Sequence, residues 1–295
     1  MTFRLANIPT ADGDARAALI DGDRWFDLAT TSGDQAMRDP LVAIARHGSL
    51  HEVAASLAGA EPSGLTAAAE LAAPIPRPSK VFGIGLNYRA HAAETGAPLP
   101  ESPLTFTKFP SCIAGPVGEI ELRGDTVDWE VELVVVIGSR CRDVKIADGW
   151  SKVAGLTLGQ DISDRTVQYA GQPPQFSLGK SFDGYGPIGP VICSVDTFDD
   201  PDDIGVTCSI DGEEMQNGRT DDLVFGVPAL VEYLSSICTL EPGDLIFTGT
   251  PAGVGVARGR FLAPGNTIVS TAEHIGTMTH RMVGHHRAAS TTTNS

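Results

Sequence analysis

The chain has 295 residues, enough for one large or two ordinary domains, and its hydrophobic content of 42% is typical of a protein with a sizeable core. The formal net charge of −16 leaves no basic stripe to meet phosphates and argues against a nucleic acid or an anionic membrane as a partner. The five cysteines are scattered and include no Cys-x-x-Cys pair, which predicts reduced thiols. The sequence shows no basic segment followed by an apolar one at its start and no apolar run of about 20 residues, so we expect a cytoplasmic protein.

The sequence predicts two domains and a tail. Residues 1–72 are expected to form a small N-terminal α+β domain. Three prolines between residues 74 and 78 mark a linker, because proline fits neither a helix interior nor a central strand. Residues 73–284 then form a larger domain, and residues 285–295, rich in Ser, Thr and Ala, are predicted to be a disordered tail.

The N-terminal domain carries three local signals. Short apolar runs on either side of Asp21-Gly22 are typical of a β-hairpin. Asp39-Pro40 offers an N-cap and a first helical residue, and Ser49-x-x-Glu52 has the form of a capping box. We therefore expect a hairpin followed by two helices.

The larger domain should be mainly β structure. Helical patterns are limited to the stretch after Asn87 and to residues 227–238, and Asp211-Gly212 predicts another hairpin turn. The apolar, β-branched runs that predict its strands lie at residues 80–83, 104–108, 119–122, 129–137, 153–158 and 206–210.

The strand predicted at residues 129–137 is the most informative, because its sequence indicates burial on both faces. Side chains alternate along a strand, so Glu130 and Glu132 point the same way. Two carboxylates that close, with no Lys or Arg among them, repel each other and lose hydration. A hard divalent cation such as Mg²⁺, Mn²⁺ or Ca²⁺ would remove both costs, whereas acids that simply face water at a strand end are the alternative.

Other segments carry candidate chemistry. His91 and Glu94 lie three apart in a predicted helix, where the carboxylate can hold the imidazole as a general base, unless the two form an exposed surface pair. Asp161 follows an apolar strand and either supplies a third metal oxygen or caps a helix. Lys180 stands among apolar and small residues and must pair with an acid or a ligand, or lose its proton. The glycine-rich loop at residues 249–255 has amides that could hold a carboxylate.

Five motifs, in order, resemble those of the fumarylacetoacetate hydrolase family over about residues 78–284. They are Gly-x-Asn-Tyr with the following His and Glu, Glu-x-Glu, Asp-x-Ser-x-Arg, Lys-Ser-Phe-Asp and Thr-Gly-Thr-Pro. The resemblance implies an α+β fold for the whole chain, with layered, mixed β-sheets around a metal, a small N-terminal domain and a homodimer. It also implies Mg²⁺ or Mn²⁺, or Ca²⁺ in a crystal, held by Glu130, Glu132 and Asp161.

The same resemblance implies roles for individual side chains. His91 and Glu94 match a water-activating dyad, and Lys180 matches a residue at the substrate. The matched oxyanion-stabilising positions are Arg165 and Gln168, and the matched substrate-binding positions are Tyr88 and Thr250.

Two segments depart from the family's pattern. Gly159-Gln160-Asp161 stands where members commonly have Gly-Asn-Asp, a change that leaves the metal-binding Asp intact but alters what surrounds it. Residues 267–274 replace the usual acidic, alternating strand near the C-terminus, which makes the local substrate or dimer contacts uncertain.

The activity that the resemblance favours is hydrolysis of a carbon–carbon bond in a 2,4-dioxo acid, of the acylpyruvate or fumarylpyruvate type found in aromatic catabolism. Decarboxylation of oxaloacetate and isomerisation of 2-hydroxyhepta-2,4-diene-1,7-dioate use related chemistry on the same scaffold and stay open. A non-catalytic binding protein is a further alternative, which the set of acids, His-Glu dyad and Lys disfavours.

Overall fold

The computed structural model describes residues 1–68 and 70–285, and β structure dominates it. The predicted tail at residues 285–295 lies outside the described residues except for His285. The strands are β1 (Arg4–Asn7), β2 (Ala17–Asp21), β3 (Arg24–Asp27), β4 (Gly64–Leu65), β5 (Val81–Gly85), β6 (Leu104–Lys108), β7 (Ile113–Ala114), β8 (Val117–Leu122), β9 (Val127–Asp128), β10 (Val131–Ile137), β11 (Val153–Gln160), β12 (Ser163–Asp164), β13 (Gly186–Cys193), β14 (Gly205–Ile210), β15 (Glu213–Arg219), β16 (Leu245–Phe247), β17 (Thr267–Ala272) and β18 (Gly276–Gly284).

The helices are short and lie between the strands. The α-helices are α1 (Leu28–Ser32), α2 (Pro40–Ala45), α3 (His47–Ser56), α4 (Arg89–Thr95), α5 (Arg165–Gln168), α6 (Phe176–Gly179), α7 (Val227–Ile237) and α8 (Gly255–Arg258). The 3₁₀ helices span Gln35–Arg38, Thr66–Ala68, Pro110–Cys112, Ile146–Asp148, Trp150–Lys152, Val195–Thr197 and Thr220–Asp222. Among the described residues, no helix is long and apolar enough to cross a membrane.

Two large mixed sheets organise the fold. The larger has eleven strands in the order β4-β3-β2-β1-β13-β11-β10-β16-β5-β6, with β7 added beside β13. The second has five strands in the order β15-β14-β17-β18-β8, and β9 pairs separately with β12. Most pairs among the described strands are antiparallel, while β16 with β5, β18 with β8 and β13 with β7 are parallel. The α+β class and the mixed sheets predicted from the sequence are therefore confirmed.

The N-terminal segment joins the larger sheet, because β1 pairs with β13. The predicted hairpin at Asp21-Gly22 is present as the β2–β3 pair. The predicted cap at Asp39 is also present, since its side chain accepts a hydrogen bond of 2.8 Å from the Leu41 amide at the start of α2. The capping box at Ser49 is wrong: α3 already begins at His47, one residue after α2 ends, so Ser49 lies within the helix. The division into two domains stays a prediction.

Strand β10 is buried along its whole length, as its sequence predicts. Val134 and Val136 pack into one hydrophobic cluster and Leu133 and Val135 into another, so both faces of the strand are covered. The strand begins at Val131, later than expected, because the preceding β9 pairs with β12 instead. Glu130 therefore lies in the short gap between two strands.

Candidate active site

Three carboxylates meet where β10 begins and β11 ends. The antiparallel register places Glu132 opposite Gly159 and Val131 opposite Gln160. One step further, the Asp161 amide donates a 2.9 Å hydrogen bond to the Glu130 carbonyl. The side chains of Glu130, Glu132 and Asp161 are buried, and each offers a ligand oxygen within 4.8 Å of the others. The register thus brings together the three metal ligands predicted from the sequence.

Three basic side chains from other segments reach these acids. Arg165 donates from Nη2 to Glu130 Oε1 at 2.7 Å. Lys180 Nζ donates to Glu130 Oε2 and Asp161 Oδ2, both at 2.7 Å. Lys108 Nζ donates to Asp161 Oδ1 at 2.6 Å and also to the Lys180 carbonyl. The acids lack a basic neighbour in the sequence but not in space.

A fourth carboxylate, Asp128, completes this group. Its Oδ2 accepts a 2.9 Å hydrogen bond from Arg165 Nε, and its two oxygens accept from the amides of Gly255 and Val256. Six of these buried residues are linked by hydrogen bonds, and Glu132 adjoins them through its carboxylate beside Glu130 and Asp161; we call the seven the charged cluster. It consists of Lys108, Asp128, Glu130, Glu132, Asp161, Arg165 and Lys180.

The charge of the cluster is not balanced. Its four carboxylates exceed its three cations by one, and the excess falls on Glu132, whose hydrogen-bond donor among the described residues is the Gly249 amide at 2.7 Å. Burial, together with Asp161 and Glu130, raises the pKa of Glu132 well above its ordinary value. The raised pKa favours a proton on Glu132. An all-oxygen site with surplus negative charge fits a hard divalent cation, which would replace this proton.

The other charges are held by their partners. Burial would raise the pKa of Glu130, but Lys180 and Arg165 outweigh burial and lower it. Burial alone would lower the pKa of Lys180, but the carboxylates of Asp161 and Glu130 outweigh burial and raise the pKa. Of the two outcomes that the sequence left open for Lys180, pairing with an acid is the one observed.

His91 and Glu94 form a close pair on α4. His91 Nδ1 lies 2.7 Å from Glu94 Oε1, and Glu94 also accepts the Gly253 amide at 2.9 Å. The histidine is only 9% exposed, so the alternative of an exposed surface pair does not apply. With Nδ1 bound to the carboxylate, Nε2 is the nitrogen left to accept a proton.

The glycine-rich loop does hold carboxylates, and they are the protein's own. Amides of residues 249–256 bind Glu132, Glu94 and Asp128. A single loop therefore ties the three-carboxylate site to the His91–Glu94 pair. A φ of +102° at Gly249, where an added Cβ would lie 2.8 Å from Asn87 Cβ, requires glycine at the start of this loop.

A cavity of about 240 Å³ is lined by His91 and by residues of the charged cluster. Its polar wall contains Glu130, Glu132, Arg165, Lys180, His91, Gln168 and Thr250. Its apolar wall contains Ile84, Leu86, Phe106, Tyr169, Phe176 and Val256. A cavity of this size, lined by both charged and apolar side chains, suits a small acidic ligand rather than a drug-sized one.

The two predicted substrate-binding residues are placed differently. Thr250 lines the cavity, but its hydroxyl donates to the Val131 carbonyl at 2.8 Å and accepts from Gln216. Tyr88 is fully buried outside the residues that line the cavity, and burial, then Glu132, raises its pKa. Its hydroxyl has no hydrogen-bond partner among the described residues.

Sequence reasoning missed Lys108 and Asp128. Asp128 continues the alternation of Glu130 and Glu132 toward the N-terminus, which is a signal that could have found it. Lys108 ends a strand whose other residues are mostly exposed, and burial of its ammonium depends on β6 pairing with β5. No local pattern reveals that pairing.

Comparison with known proteins identifies relatives of this arrangement. Residues 80–283 match the family model for the fumarylacetoacetate (FAA) hydrolase C-terminal domain. The mitochondrial oxaloacetate tautomerase FAHD2A of Bos taurus is 41% identical over 215 residues, covering 72% of this chain and 68% of the relative.

Two solved structures add different activities. 2-Hydroxyhepta-2,4-diene-1,7-dioate isomerase from Mycobacterium marinum has a TM-score of 0.74 and 31% identity, covering 97% of this chain and 100% of its own. Maleylpyruvate hydrolase from Sphingobium sp. SYK-6, in complex with manganese(II) and pyruvate, has a TM-score of 0.79 and 27% identity, covering 95% and 99%. A homodimer and a cytoplasmic location for this chain stay predictions.

Proposed function

The chain belongs to the fumarylacetoacetate hydrolase family, and on that premise we propose that it is a metal-dependent enzyme that interconverts the keto and enol forms of a short 2-oxo diacid of the oxaloacetate class. Tautomerase, isomerase and hydrolase activities all occur among its relatives. Enolisation is the step that these reaction classes can share, because each can pass through negative charge delocalised over a carbonyl and the adjacent carbon.

The observation that carries the proposal is that His91 and four members of the charged cluster, Glu130, Glu132, Arg165 and Lys180, line one small cavity. Enolisation needs a centre that stabilises negative charge at the carbonyl oxygen and a base beside the α-carbon. It needs no further reactant. The carboxylates with a bound cation would be the first group and His91 the second, and the cavity volume of about 240 Å³ suits a four- or five-carbon acid.

Glu130, Glu132 and Asp161 would hold the cation, for which Mg²⁺ and Mn²⁺ are the candidates. When bound, a divalent cation supplies Lewis-acid stabilisation of the negative charge that develops as the α-proton leaves. The surplus carboxylate in the cluster is the physical reason for expecting an ion there.

His91 is the proposed base. Its Nε2 would take a proton from C3 of the oxo acid, the C–H electron pair would form the C2–C3 double bond, and the carbonyl π electrons would move to oxygen to give an enolate. The enolate oxygen would then take a proton from water to give the enol, and His91 would release its proton to solvent. Glu94 fixes the ring through Nδ1 and is itself fixed by the Gly253 amide, so that Nε2 stays directed. In the reverse direction the protonated ring returns its proton to C3.

The substrate's oxygens would be met by Lys180, Arg165 and Gln168. Gln168 uses its side-chain oxygen to accept from Arg165 at 2.8 Å, which leaves its amide nitrogen as a donor on the cavity wall. Lys180 and Arg165 carry fixed positive charge at the same end of the cavity. These donors would bind a carboxylate or an enolate oxygen.

Hydrolysis of a carbon–carbon bond, the activity first favoured from the sequence, is the second candidate. The same His91–Glu94 pair could activate a water molecule, and the maleylpyruvate hydrolase relative makes this chemistry relevant to the scaffold. It requires room for water beside the substrate, a condition that enolisation does not impose.

Product analysis separates the candidates. Purified protein would be given enol oxaloacetate, an acylpyruvate and fumarylpyruvate, each with Mg²⁺, Mn²⁺ or EDTA. The proposal predicts metal-dependent loss of the enol's ultraviolet absorbance with all carbon retained as oxaloacetate. Pyruvate with a second acid would mean hydrolysis, and pyruvate with CO₂ would mean decarboxylation. An enol decay rate equal to that in buffer would contradict the proposal.

A further inference from the structure

Strand pairing is incomplete at Glu130 and Val131: Glu130 precedes β10, and Val131, which lies opposite Gln160 of β11, has no described strand partner on its other side. The adjacent strand β16 pairs only with Val134 to Val136, and it ends at Phe247. The chain then turns into the glycine-rich loop. The amides of Glu130 and Val131 therefore need other acceptors, because both lie in the interior.

A buried glutamine from β11 accepts the first of these amides. Gln160 Oε1 accepts from the Glu130 amide at 3.0 Å. Its Nε2 donates to Ser270 Oγ on β17 at 2.9 Å and contacts Cys208 Sγ on β14 at 3.4 Å. The side chain, which is 0% exposed, thus bridges the metal-binding segment and the second sheet.

A second buried glutamine accepts the next amide. Gln216 Oε1 on β15 accepts from the Val131 amide at 2.9 Å. Its Nε2 donates to Thr250 Oγ1 at 2.7 Å and to the Pro251 carbonyl at 2.8 Å. Thr250 in turn donates to the Val131 carbonyl, which closes a ring around this peptide group.

We propose that Gln160 and Gln216 act together as a glutamine clamp, a pair of positioning residues that fix Glu130 and Glu132 for the divalent cation and thereby set its affinity. Each amide uses both its oxygen and its nitrogen, so neither side chain can reorient without losing a buried hydrogen bond. Partners of this kind orient ligands without touching the metal. The inference rests on the metal site proposed above.

The two departures from the family's pattern meet in this clamp. Gln160 stands where members of the family commonly have Asn, and Ser270 lies within the altered segment at residues 267–274. Their side chains are hydrogen-bonded to each other at 2.9 Å in the interior. The longer amide reaches a short hydroxyl on the neighbouring sheet, so we read these departures as one coupled change.

The test is a Mn²⁺ titration of the metal-free, full-length protein, in which the electron paramagnetic resonance signal of the free ion is measured after each addition. Gln160→Met and Gln216→Met keep the approximate length of the side chain and remove its hydrogen bonds. Each should weaken Mn²⁺ binding about 10- to 100-fold, the usual effect of losing a partner that orients a ligand. Ser270→Ala, a smaller change, should weaken binding in the same direction and covers the case in which a glutamine variant fails to fold.

Leu50→Ala is the matched control, because Leu50 is fully buried on α3 outside the charged cluster and the clamp. It should lower the melting temperature in EDTA without changing Mn²⁺ affinity, which separates positioning from general destabilisation. If the glutamine variants fold and bind Mn²⁺ as tightly as the wild type, the clamp is overturned but the metal site is not. If the glutamine variants do not fold, a folded Ser270→Ala that binds Mn²⁺ as tightly as the wild type has the same consequence. A wild-type protein that binds no Mn²⁺ would instead overturn the proposed metal site.

Discussion

Replacing Glu132 by Gln should remove most of the stabilisation that a divalent metal gives to the folded protein. Glu132 carries the surplus negative charge of the charged cluster, and its carboxylate is bound by the Gly249 amide. Glutamine keeps the size of the side chain and can still accept that hydrogen bond through its oxygen. The variant therefore tests charge and metal ligation with little change in packing.

The magnitude follows from ligand linkage. Metal at 100 times its dissociation constant stabilises the wild-type fold by about 2.7 kcal/mol. For a chain of 295 residues that corresponds to a rise in melting temperature of about 4 to 5 °C. If loss of the ligand weakens binding 10- to 100-fold, the same metal concentration stabilises the variant by only about 0.4 to 1.4 kcal/mol.

The assay is thermal unfolding of both proteins in EDTA and in a series of Mg²⁺ and Mn²⁺ concentrations. In EDTA, Glu132→Gln should be about as stable as the wild type, because burial raises the pKa of Glu132 toward the neutral form that glutamine mimics. The reasoning is refuted if both proteins gain the same stability from metal, or if the wild type gains none. Either result would mean that Glu130 and Glu132 have a purely structural role.

Four further predictions concern single side chains. His91→Ala should lower the rate of metal-saturated enol conversion by about 10² to 10⁴, with the metal-induced rise in melting temperature retained. Lys180→Met should lower kcat/KM by about 10², and an unchanged rate in a folded variant would place Lys180 outside the reaction. Asp39→Ala should cost about 1 kcal/mol in denaturant unfolding, through loss of the α2 cap, with no change in activity. Burial lowers the pKa of His280, so the stability that the neutral ring contributes should be present above about pH 6.5, the ordinary pKa of histidine, and lost as the pH falls below it. Melting curves taken across pH should show this loss in the wild type and not in His280→Gln.

Much of the site could be predicted because its ligands lie close together in the sequence or in strongly patterned segments. The alternation of Glu130 and Glu132 follows from strand geometry alone. Asp161 was accessible as the residue that follows an apolar strand, and Lys180 as a lysine in an apolar setting. Local information left an alternative open at each of these positions, and the resemblance to the family's ordered motifs implied the assignments.

The remainder depends on how distant strands pair. Lys108 reaches Asp161 only because β6 lies beside β5, and Gln216 reaches Val131 only because β16 ends early. Glutamine in a strand carries no signal of its own, since an exposed Gln and a buried, fully hydrogen-bonded Gln look alike in sequence. The incorrect capping box at Ser49 has a similar origin, because its pattern is satisfied locally while α3 in fact continues almost directly from α2.

The most direct test of the proposed enolisation is hydrogen exchange at C3 of the oxo acid. Oxaloacetate would be incubated in D₂O with the purified protein and Mg²⁺ or Mn²⁺, and deuterium at C3 would be followed by nuclear magnetic resonance against buffer with the same metal. The proposal predicts exchange well above the buffer rate, abolished by EDTA and strongly reduced in His91→Ala and Glu132→Gln. Exchange no faster than in buffer for the metal-loaded wild type, or equal exchange in EDTA, would contradict it.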